Sequence, residues 1–250
     1  MEIRPKIALI SGANRGLGFE IARQLGKRQI KVLIGARNAA AGQAAVDRLI
    51  AEGIDALFVL LDITETNSID KAVQFVTERF GYLDVLVNNA ALLPKATDDG
   101  SPSQASQGLL LEFLETNFLA QVNVTQSFLP LIKQSTAGRI VNMSSSIGSV
   151  TLSSEHLHQN GPKPPRIPYA VSKAALNMFT VLLAKELRQD GIKVNSADPG
   201  LTQTDAGGPN APYTVEQGAR PAVWLACLDD NGPTGCFFTH VEEHLVNNPW

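Results

Sequence analysis

The sequence contains little cysteine and little charge. Its two cysteines, Cys227 and Cys236, stand in a chain of 250 residues without a secretion signal, so we expect them to be free and buried rather than bridged. Charged residues make up 18% of the chain, and the formal net charge is -3. This balance lacks the basic excess typical of nucleic-acid binding, so no nucleic-acid partner is expected.

Long apolar runs are also missing. No run reaches the roughly 18 residues that a membrane-spanning helix needs. The first residues, MEIRPKIALISG, lead straight into a strand pattern and lack the apolar core of a signal peptide. We therefore expect a cytoplasmic protein with no membrane partner.

Short apolar runs, separated by amphipathic helical patterns, dominate what is present. Runs rich in β-branched residues lie at 6–11, 31–36, 56–62, 84–90, 138–145, 192–198 and 235–238. Strands that alternate with helices form right-handed βαβ units. The sequence predicts one α/β domain over residues 1–250, a Rossmann-type doubly wound sheet of about seven mostly parallel strands with helices on both faces.

Two segments, 94–108 and 151–168, are rich in Ser, Pro, Gly and Asn and are predicted to be loop insertions. Each follows a strand, and ligands of open α/β sheets bind at the carboxyl ends of strands. They are candidate walls of a substrate pocket, although plain solvated insertions would have the same composition. For His156 and His158 in the second segment, contact with substrate and simple solvation both stay open.

The segment SGANRGLGFE follows the first strand and carries three glycines. Its spacing, G-x-x-x-G-x-G, departs from the G-x-G-x-x-G dinucleotide motif but keeps its physical elements. Gly12 allows a tight turn, Gly16 allows close approach of a pyrophosphate, and the helix that starts here offers free N–H groups to that anion. Such turns also occur without a ligand, but the position after the first strand favours a dinucleotide site.

The end of the second strand predicts which dinucleotide binds. NAD sites usually carry an acidic residue there for the ribose hydroxyls, whereas a 2′-phosphate needs a cation. Here the strand ends in Ala36, Arg37 follows, and Arg15 lies in the glycine turn. The missing carboxylate and the two guanidinium groups favour NADPH over NADH.

The stretch PYAVSKAAL places Tyr169 and Lys173 four residues apart. Side chains at this spacing are neighbours on any helix, so the pair alone fits a solvated face as well as an active site. A lysine ammonium beside a tyrosine stabilises the phenolate and would bring a proton donor toward neutral pH. Pro168 suits a first helical turn, so the helix is expected to begin beside Tyr169.

Seven motifs in this order resemble the short-chain dehydrogenase/reductase family over nearly the whole chain. They are SGANRGLG (11–18), LDI (61–63), NNAA (88–91), TNFLA (116–120), GRIVNMSSS (138–146), YAVSK (169–173) and DPGLTQT (198–204). Within the family the chain is most similar to NADPH-dependent carbonyl reductases, through LLPKATDD, FLPLIK, PGLTQTDAGGP and GPTGCFF. The resemblance implies reversible reduction of a ketone or aldehyde to an alcohol, with NADPH/NADP+ as cofactor.

The resemblance also implies a catalytic tetrad of Asn117, Ser145, Tyr169 and Lys173. Tyr169 would donate a proton to the carbonyl oxygen, Ser145 would polarise that oxygen, and Asn117 would hold a water that relays protons to Lys173. Ser145 is chosen from three consecutive serines because the family's catalytic serine is the second residue after the Met143 position.

The same resemblance implies a set of cofactor-binding residues. Asp62 and Ile63 would hold the adenine, Asn89 and Ala90 would line the cofactor through their backbone, and Thr204 would meet the nicotinamide carboxamide. The full set is Gly12, Asn14, Arg15, Gly16, Leu17, Gly18, Arg37, Asp62, Ile63, Asn89, Ala90, Tyr169, Lys173, Pro199, Gly200, Thr202 and Thr204.

Two features depart from the family pattern. Ala91 stands where a glycine is usual, which adds a methyl group near the cofactor cleft. The segment 151–168 also lengthens the distance between Ser145 and Tyr169. Some carbonyl reductases with a longer insertion here are monomers, so we expect either a monomer or a homo-oligomer.

The tail carries HVEEH, His240 to His244, which fits the H-x-x-E-H zinc pattern. That pattern needs a helix and a third ligand, whereas this copy follows a predicted strand, so no metal is expected.

Leucines that follow strand ends predict the substrate. Leu92, Leu93, Leu152 and Leu201 would form an apolar pocket for a neutral or hydrophobic carbonyl compound, unless they are ordinary packing. Two other functions stay open: a quinone, steroid or pteridine reductase of the same family, and a non-catalytic NADPH-binding regulatory protein.

Overall fold

One eight-stranded sheet forms the centre of the molecule. The computed structural model describes residues 4–94, 101–155, 166–205, 207–241 and 244–250, with only the backbone of His240 and Val241. The strands are β1 (Ile7–Ser11), β2 (Lys31–Ala36), β3 (Ala56–Leu60), β4 (Val85–Asn88), β5 (Arg139–Met143), β6 (Lys193–Ala197), β7 (Phe237–Val241) and β8 (His244–Asn247).

The strand order is β3-β2-β1-β4-β5-β6-β7-β8. The first seven strands in chain order pair in parallel, and β8 pairs antiparallel with β7. The predicted α/β class with a doubly wound, mostly parallel sheet is confirmed. The sheet has one strand more than the sequence predicted.

Helices in the described part of the chain cover both faces of the sheet. They are α1 (Gly16–Gly26), α2 (Ala39–Ala51), α3 (Thr66–Arg79), α4 (Gln107–Leu114), α5 (Ala120–Ile132), α6 (Val150–Glu155), α7 (Ile167–Glu186) and α8 (Val215–Ala226). Along β1, Ala8 and Ile10 face the core of α1, α2 and α8, whereas Ile7 and Leu9 face that of α3, α5 and α7. Side chains alternate along a strand, so a strand covered on both faces is apolar at every position.

The two segments predicted as loops contain helices. A short 3₁₀ turn occupies Pro102–Gln104, and α4 begins before the first segment ends. The second segment contains most of α6, in which Ser149 Oγ accepts the N–H of Leu152 at 3.1 Å and satisfies a first-turn donor. The loop prediction is therefore wrong for these parts.

Helix α7 begins at Ile167 with Pro168 in its first turn, as the sequence predicted. It is long and apolar enough to cross a membrane by length and composition, with a mean hydropathy of 1.4. However, Leu176 and Leu183 are buried, and α7 packs against β6 and α4. Its apolar residues are divided between this buried face and exposed positions such as Val171, Met178 and Leu182.

The HVEEH segment lies on strands. His240 belongs to β7 and His244 to β8, and Val241 pairs with His244 across the two. These histidines therefore do not have the helical spacing of the zinc pattern.

Both cysteines are free, as predicted, but they are not both buried. Cys227 is exposed, because it follows the last turn of α8 at the surface, and Cys236 is half-buried just before β7. The expectation of two buried thiols is therefore wrong.

Candidate active site

One cleft of about 1200 Å³ runs along the carboxyl ends of the strands. Its walls come from the segments that follow β1 to β6, the place where open α/β sheets bind ligands. Predicted site residues that line it are Gly12, Asn14, Arg15, Gly16, Leu17, Gly18, Arg37, Asp62, Ile63, Asn89, Ser145, Tyr169, Lys173, Pro199, Gly200, Thr202 and Thr204. Asn117 and Ala90 do not line it.

The glycine turn between β1 and α1 forms one end of the cleft. Gly12 has φ +66°, and a Cβ atom there would lie 2.9 Å from the Cα of Ala90. Gly16 faces open space, since its Cβ would meet only Thr204 Cγ2, at 4.0 Å. No side chain caps the first turn of α1. The turn thus presents helix N–H donors to a space that fits a pyrophosphate.

Two arginines flank the glycine turn. Arg37 is exposed, lines the cleft just after β2, and follows the buried Ala36. Arg15 forms an ion pair with Asp205, and both side chains are exposed. The described residues at the end of β2 include no carboxylate, so this region suits a phosphate better than a ribose hydroxyl. The Arg15 partner was missed from the sequence.

Hydrogen bonds to residues nearby in the chain hold Asp62, which follows β3, in place. Asp62 Oδ1 accepts from the N–H of Thr64 at 3.1 Å and from its hydroxyl at 2.8 Å. The N–H of Asp62 donates to Ser68 Oγ at 2.9 Å. Ile63 is buried next to Asp62, and both residues line the cleft. At the end of the cleft away from Tyr169, Asp62 therefore supplies a polar part of the wall and Ile63 an apolar part.

The residues after β4 connect the cleft to the glycine turn. Asn89 Nδ2 donates to the carbonyl of Ser11 at 2.8 Å, and Ser11 Oγ accepts the N–H groups of Asn89 and Ala90 at 3.0 Å. The carbonyl of Ala90 accepts from Gln121. Ala90 therefore lies behind the cleft wall, and it is Ala91 that lines the cleft.

Ser145 and Tyr169 meet at the other end of the cleft. Both residues line the cleft, and interaction with the Ser145 side chain acts to lower the pKa of Tyr169. The Tyr169 ring packs edge-on against Phe113, with centroids 6.4 Å apart. The neighbouring Ser144 points inward and donates to Asn177 Oδ1 at 2.6 Å. Of the first two of the three consecutive serines, Ser144 is thus engaged by Asn177, and Ser145 is the one that interacts with the tyrosine.

Lys173 lies one helical turn after Tyr169 and is only 3% exposed. Its Nζ donates to the carbonyl of Met143 at 2.7 Å and lies 5.4 Å from the centroid of the Tyr169 ring. Burial lowers the pKa of Lys173 to about 8. The ammonium is thus held beside the tyrosine by the end of β5.

The pKa of Tyr169 is raised in this structure, opposite to the sequence expectation. Burial is the largest cause, although Tyr169 is only half-buried on the wall of the cleft, and the Asp198 carboxylate adds to it, while Arg166 and the Ser145 side chain act in the other direction. Burial outweighs these groups because it removes water from around the phenolate. The phenol is therefore held in its protonated form.

Asn117 is fully buried on a π-helical turn, Glu115–Leu119, between α4 and α5. Its side chain accepts the N–H of Leu92 at 2.7 Å and donates to the carbonyl of Leu92 at 2.9 Å and to Ser172 Oγ at 3.2 Å. Ser172 in turn donates to the carbonyl of Tyr169 at 2.7 Å. Asn117 therefore fixes the wall after β4 relative to α7, and its side-chain hydrogen bonds within the described residues go to Leu92 and Ser172 rather than to Lys173.

Asp198 was not predicted as a site residue. It follows β6 in the D-P-G sequence, is 4% exposed, and lines the cleft. Its Oδ2 accepts the N–H of Ser146 at 3.1 Å, and its Oδ1 accepts the N–H of Gly200 at 2.9 Å. The only signal in the sequence was a carboxylate directly after a strand.

The wall near Tyr169 is partly apolar. Leu92, Leu93 and Leu201 line the cleft as predicted, whereas Leu152, on α6, does not. Glu112 and Arg166 also line it, so this end carries charges of both signs that sequence reasoning missed. The predicted histidines of the second loop, at positions 156 and 158, lie outside the described residues.

Comparison with known proteins identifies the family. Residues 6–212 match the family model described as short chain dehydrogenase. This chain is a member of the short-chain dehydrogenase family. The resemblance found in the sequence motifs is therefore confirmed.

Relatives of this short-chain dehydrogenase include carbonyl reductases. The NADPH carbonyl reductase 1 of Sus scrofa is 36% identical over 96% of this chain and 93% of its own length. The (+)-neomenthol dehydrogenase of Arabidopsis thaliana is 33% identical over 95% of this chain and 97% of its own.

Solved structures of the family have the same fold. NADPH-bound carbonyl reductase from chicken fatty liver superposes with a TM-score of 0.79 at 27% identity, over 95% of this chain and 97% of that one. Salutaridine reductase from Papaver somniferum gives a TM-score of 0.80 at 28% identity, over 93% of this chain and 99% of that one.

Proposed function

We propose that this short-chain dehydrogenase is an NADPH-dependent carbonyl reductase that reduces a ketone or aldehyde to an alcohol. The observation that carries the proposal is that Ser145, Tyr169 and Lys173 line the same cleft as the glycine turn, with Lys173 Nζ 5.4 Å from the centroid of the Tyr169 ring. The named relatives, among them the NADPH carbonyl reductase of Sus scrofa, support it.

NADPH supplies a hydride when bound. The glycine turn would hold its pyrophosphate, and Arg15 and Arg37 would bind the 2′-phosphate. Asp62 and Ile63 would contact the adenine. The open space before Gly16 and the uncapped first turn of α1 support this placement. The residues Pro199, Gly200, Thr202 and Thr204 would form the wall at the nicotinamide.

Tyr169 would act as the general acid. The carbonyl carbon would receive the hydride that the cofactor supplies, and the carbonyl oxygen would receive the proton of the Tyr169 hydroxyl, which would leave a phenolate on the enzyme until solvent reprotonates it. Ser145 would donate to the same oxygen and stabilise the negative charge that develops there. Lys173 would stabilise the phenolate through its positive charge.

The substrate would be a small carbonyl compound, neutral or hydrophobic on the side that meets Leu92, Leu93 and Leu201. Glu112 and Arg166 would contact its more polar end. We also propose a single domain over residues 1–250, a cytoplasmic location and a monomeric or homo-oligomeric state, with no nucleic-acid partner.

The decisive test is the loss of NADPH absorbance over a panel of ketones, aldehydes and quinones. Tyr169→Phe should lower kcat by roughly a thousandfold or more, because it removes the proton donor, and should leave the Kd for NADPH nearly unchanged. Tyr82→Phe is the matched control, since its hydroxyl donates to the carbonyl of Pro5, away from the cleft.

Each outcome of this assay bears on the proposal. Silence of the wild type over the whole panel, with NADPH still bound, would favour a regulatory NADPH-binding protein. Wild-type turnover by Tyr169→Phe would refute the assigned acid. Activity confined to quinones would indicate a reductase of that substrate class instead.

A further inference from the structure

One ion pair connects the two sides of the cleft at the glycine turn. Arg15 Nη1 lies 2.5 Å from Oδ2 of Asp205, which belongs to the segment between β6 and α8. Both residues line the cleft, and their side chains are 75% and 77% exposed. The neighbouring Thr204 comes close as well, since its Cγ2 would lie 4.0 Å from a Cβ atom at Gly16. Asp205 therefore holds a carboxylate against one of the two arginines proposed to bind the 2′-phosphate.

The backbone around Asp205 is anchored by hydrogen bonds on both sides. The N–H of Thr204 donates to the carbonyl of Thr202 at 2.8 Å, and the carbonyl of Thr204 accepts the N–H of Gly208 at 2.8 Å. Thr202 also forms a β-bridge with Tyr213. The carboxylate of Asp205 therefore leaves Arg15 chiefly by rotation of its own side chain, and it stays close to the cleft when it does.

The ion pair is not needed to hold this segment. The backbone bonds that anchor it involve the side chain of neither Arg15 nor Asp205. A pair between two exposed side chains also contributes little to stability, because water screens it and because ordering the side chains costs entropy. The consequence of the pair is therefore expected in a ligand that approaches Arg15.

A phosphate and a carboxylate bind a guanidinium through the same N–H groups. A 2′-phosphate at Arg15 must therefore displace the carboxylate of Asp205 or share the guanidinium with it. Sharing brings two anions close together, and like charges repel each other. NADH carries no 2′-phosphate, so it leaves the ion pair in place.

We propose that Asp205 is a specificity-determining residue of the cofactor site. Its carboxylate competes with the 2′-phosphate of NADPH for Arg15 and so limits the preference for NADPH over NADH. The proposal rests on the proposed function, which assigns the 2′-phosphate to Arg15 and Arg37. Arg37, exposed on the cleft wall, would supply the rest of the attraction for the phosphate.

The test is the Kd of NADPH and of NADH, from nicotinamide fluorescence, in Asp205→Asn at low salt. Removal of the competing charge should tighten NADPH binding by about threefold to fivefold, the upper part of the range for one exposed charge pair, and should change the Kd of NADH by less than about twofold. Asp205→Glu keeps the charge and should bind NADPH as the wild type does. At about 0.5 M salt the gain in Asp205→Asn should shrink, because exposed charges are screened.

Arg15→Gln shows whether Asp205 acts through Arg15. The ion pair is absent in this background, so adding Asp205→Asn should tighten NADPH binding by less than about twofold.

Asp190→Asn is the matched control for net charge. Asp190 lies just before β6, at the strand end opposite to the cleft, and pairs with Lys133 at 2.8 Å. This variant removes the same charge from another exposed ion pair and should leave the Kd of both cofactors unchanged.

Each result supports or overturns the proposal. Unchanged or weaker NADPH binding in Asp205→Asn would overturn it, as would an equal gain for NADH, in Asp190→Asn or in the Arg15→Gln background. A wild type that binds neither cofactor would refute both this proposal and the proposed cofactor site. The Kd values need no turnover, so absence of carbonyl reduction would refute the proposed activity and leave this test valid.

Discussion

Burial acts on Tyr169 and Lys173 in the same sense, because it disfavours the charged form of each residue. It raises the pKa of Tyr169 and lowers the pKa of Lys173 to about 8. At neutral pH the lysine is still mostly charged, and its ammonium is buried against the carbonyl of Met143. The charge that is proposed to serve catalysis therefore costs stability.

Lys173→Met tests this cost through its pH dependence. Between pH 7 and pH 9.5 the wild type should gain about 2 kcal/mol in free energy of unfolding relative to the variant. The sign follows from the protons bound: above the folded pKa of about 8, folded Lys173 loses its proton while the unfolded chain, with the ordinary value of 10.5, keeps it. Stability of the wild type then rises with pH.

Urea denaturation of both proteins over this range measures the difference. The lost hydrogen bond to Met143 shifts all points equally and does not change the slope. Tyr169 is present in both proteins, and its effect begins only above the ordinary tyrosine value. A constant difference between the two proteins would mean that Lys173 is not the group that titrates.

The proximity of Tyr169 and Lys173 could be predicted from the sequence because their spacing is local. Tyr169 and Lys173 are neighbours on any helix. The roles of Asp198 and Asn117 could not be predicted, because each depends on atoms distant in the chain: the N–H of Ser146 for Asp198 and the backbone of Leu92 for Asn117. No local pattern encodes such contacts.

At the scale of elements, the ends of the strands place the site. Strands β1 to β6 were predicted within a few residues, because each is a continuous apolar run between turn signals. Strand β8, of sequence HLVN, was missed because it is short and mostly exposed, and so lacks a clear pattern. Helix α6 was missed because its cap, Ser149, lies among other serines in a loop-like composition.

Arg37, which directly follows β2, is predicted to determine the preference for NADPH over NADH. Arg37→Asp should weaken NADPH binding by roughly 10-fold to 100-fold, since it replaces a cation at the proposed 2′-phosphate site with a repelling charge. NADH binding should be unchanged or stronger. The Kd values of both cofactors, from nicotinamide fluorescence, measure the ratio.

The matched control for this variant is Lys71→Asp. Lys71 is exposed on α3 and does not line the cleft, so it tests the effect of the same charge reversal on the protein as a whole. A ratio of the two Kd values that stays constant in Arg37→Asp would show that Arg37 does not bind the 2′-phosphate.

At the scale of the whole molecule, the sheet separates two cores that must both form before the cleft exists. The glycine turn lies at the start of α1, on the face that α1 shares with α2 and α8. Tyr169 and Lys173 lie on α7, on the other face. The site therefore depends on how firmly each helix layer is fixed to the sheet.

A charged network joins α1 to α8 on the first of these faces. Arg23 donates to both oxygens of the nearly buried Glu20, at 2.7 and 3.0 Å, and to Glu216 at 2.7 Å. The hydrogen bond to Glu20 raises the pKa of Arg23. The Arg23 side chain is 19% exposed, so water screens this network less than an ordinary surface pair.

Arg23→Ala should therefore lower the free energy of unfolding by about 2 to 3 kcal/mol, because it leaves the Glu20 carboxylate buried with Gln24 as its one remaining side-chain donor among the described residues. Lys133→Ala is the control: its pair with Asp190 is 45% and 41% exposed and should contribute less than about 1 kcal/mol. Urea denaturation gives both values. If the two variants lose equal stability, the network acts as an ordinary surface pair, and the α1 layer must be held by its apolar contacts alone.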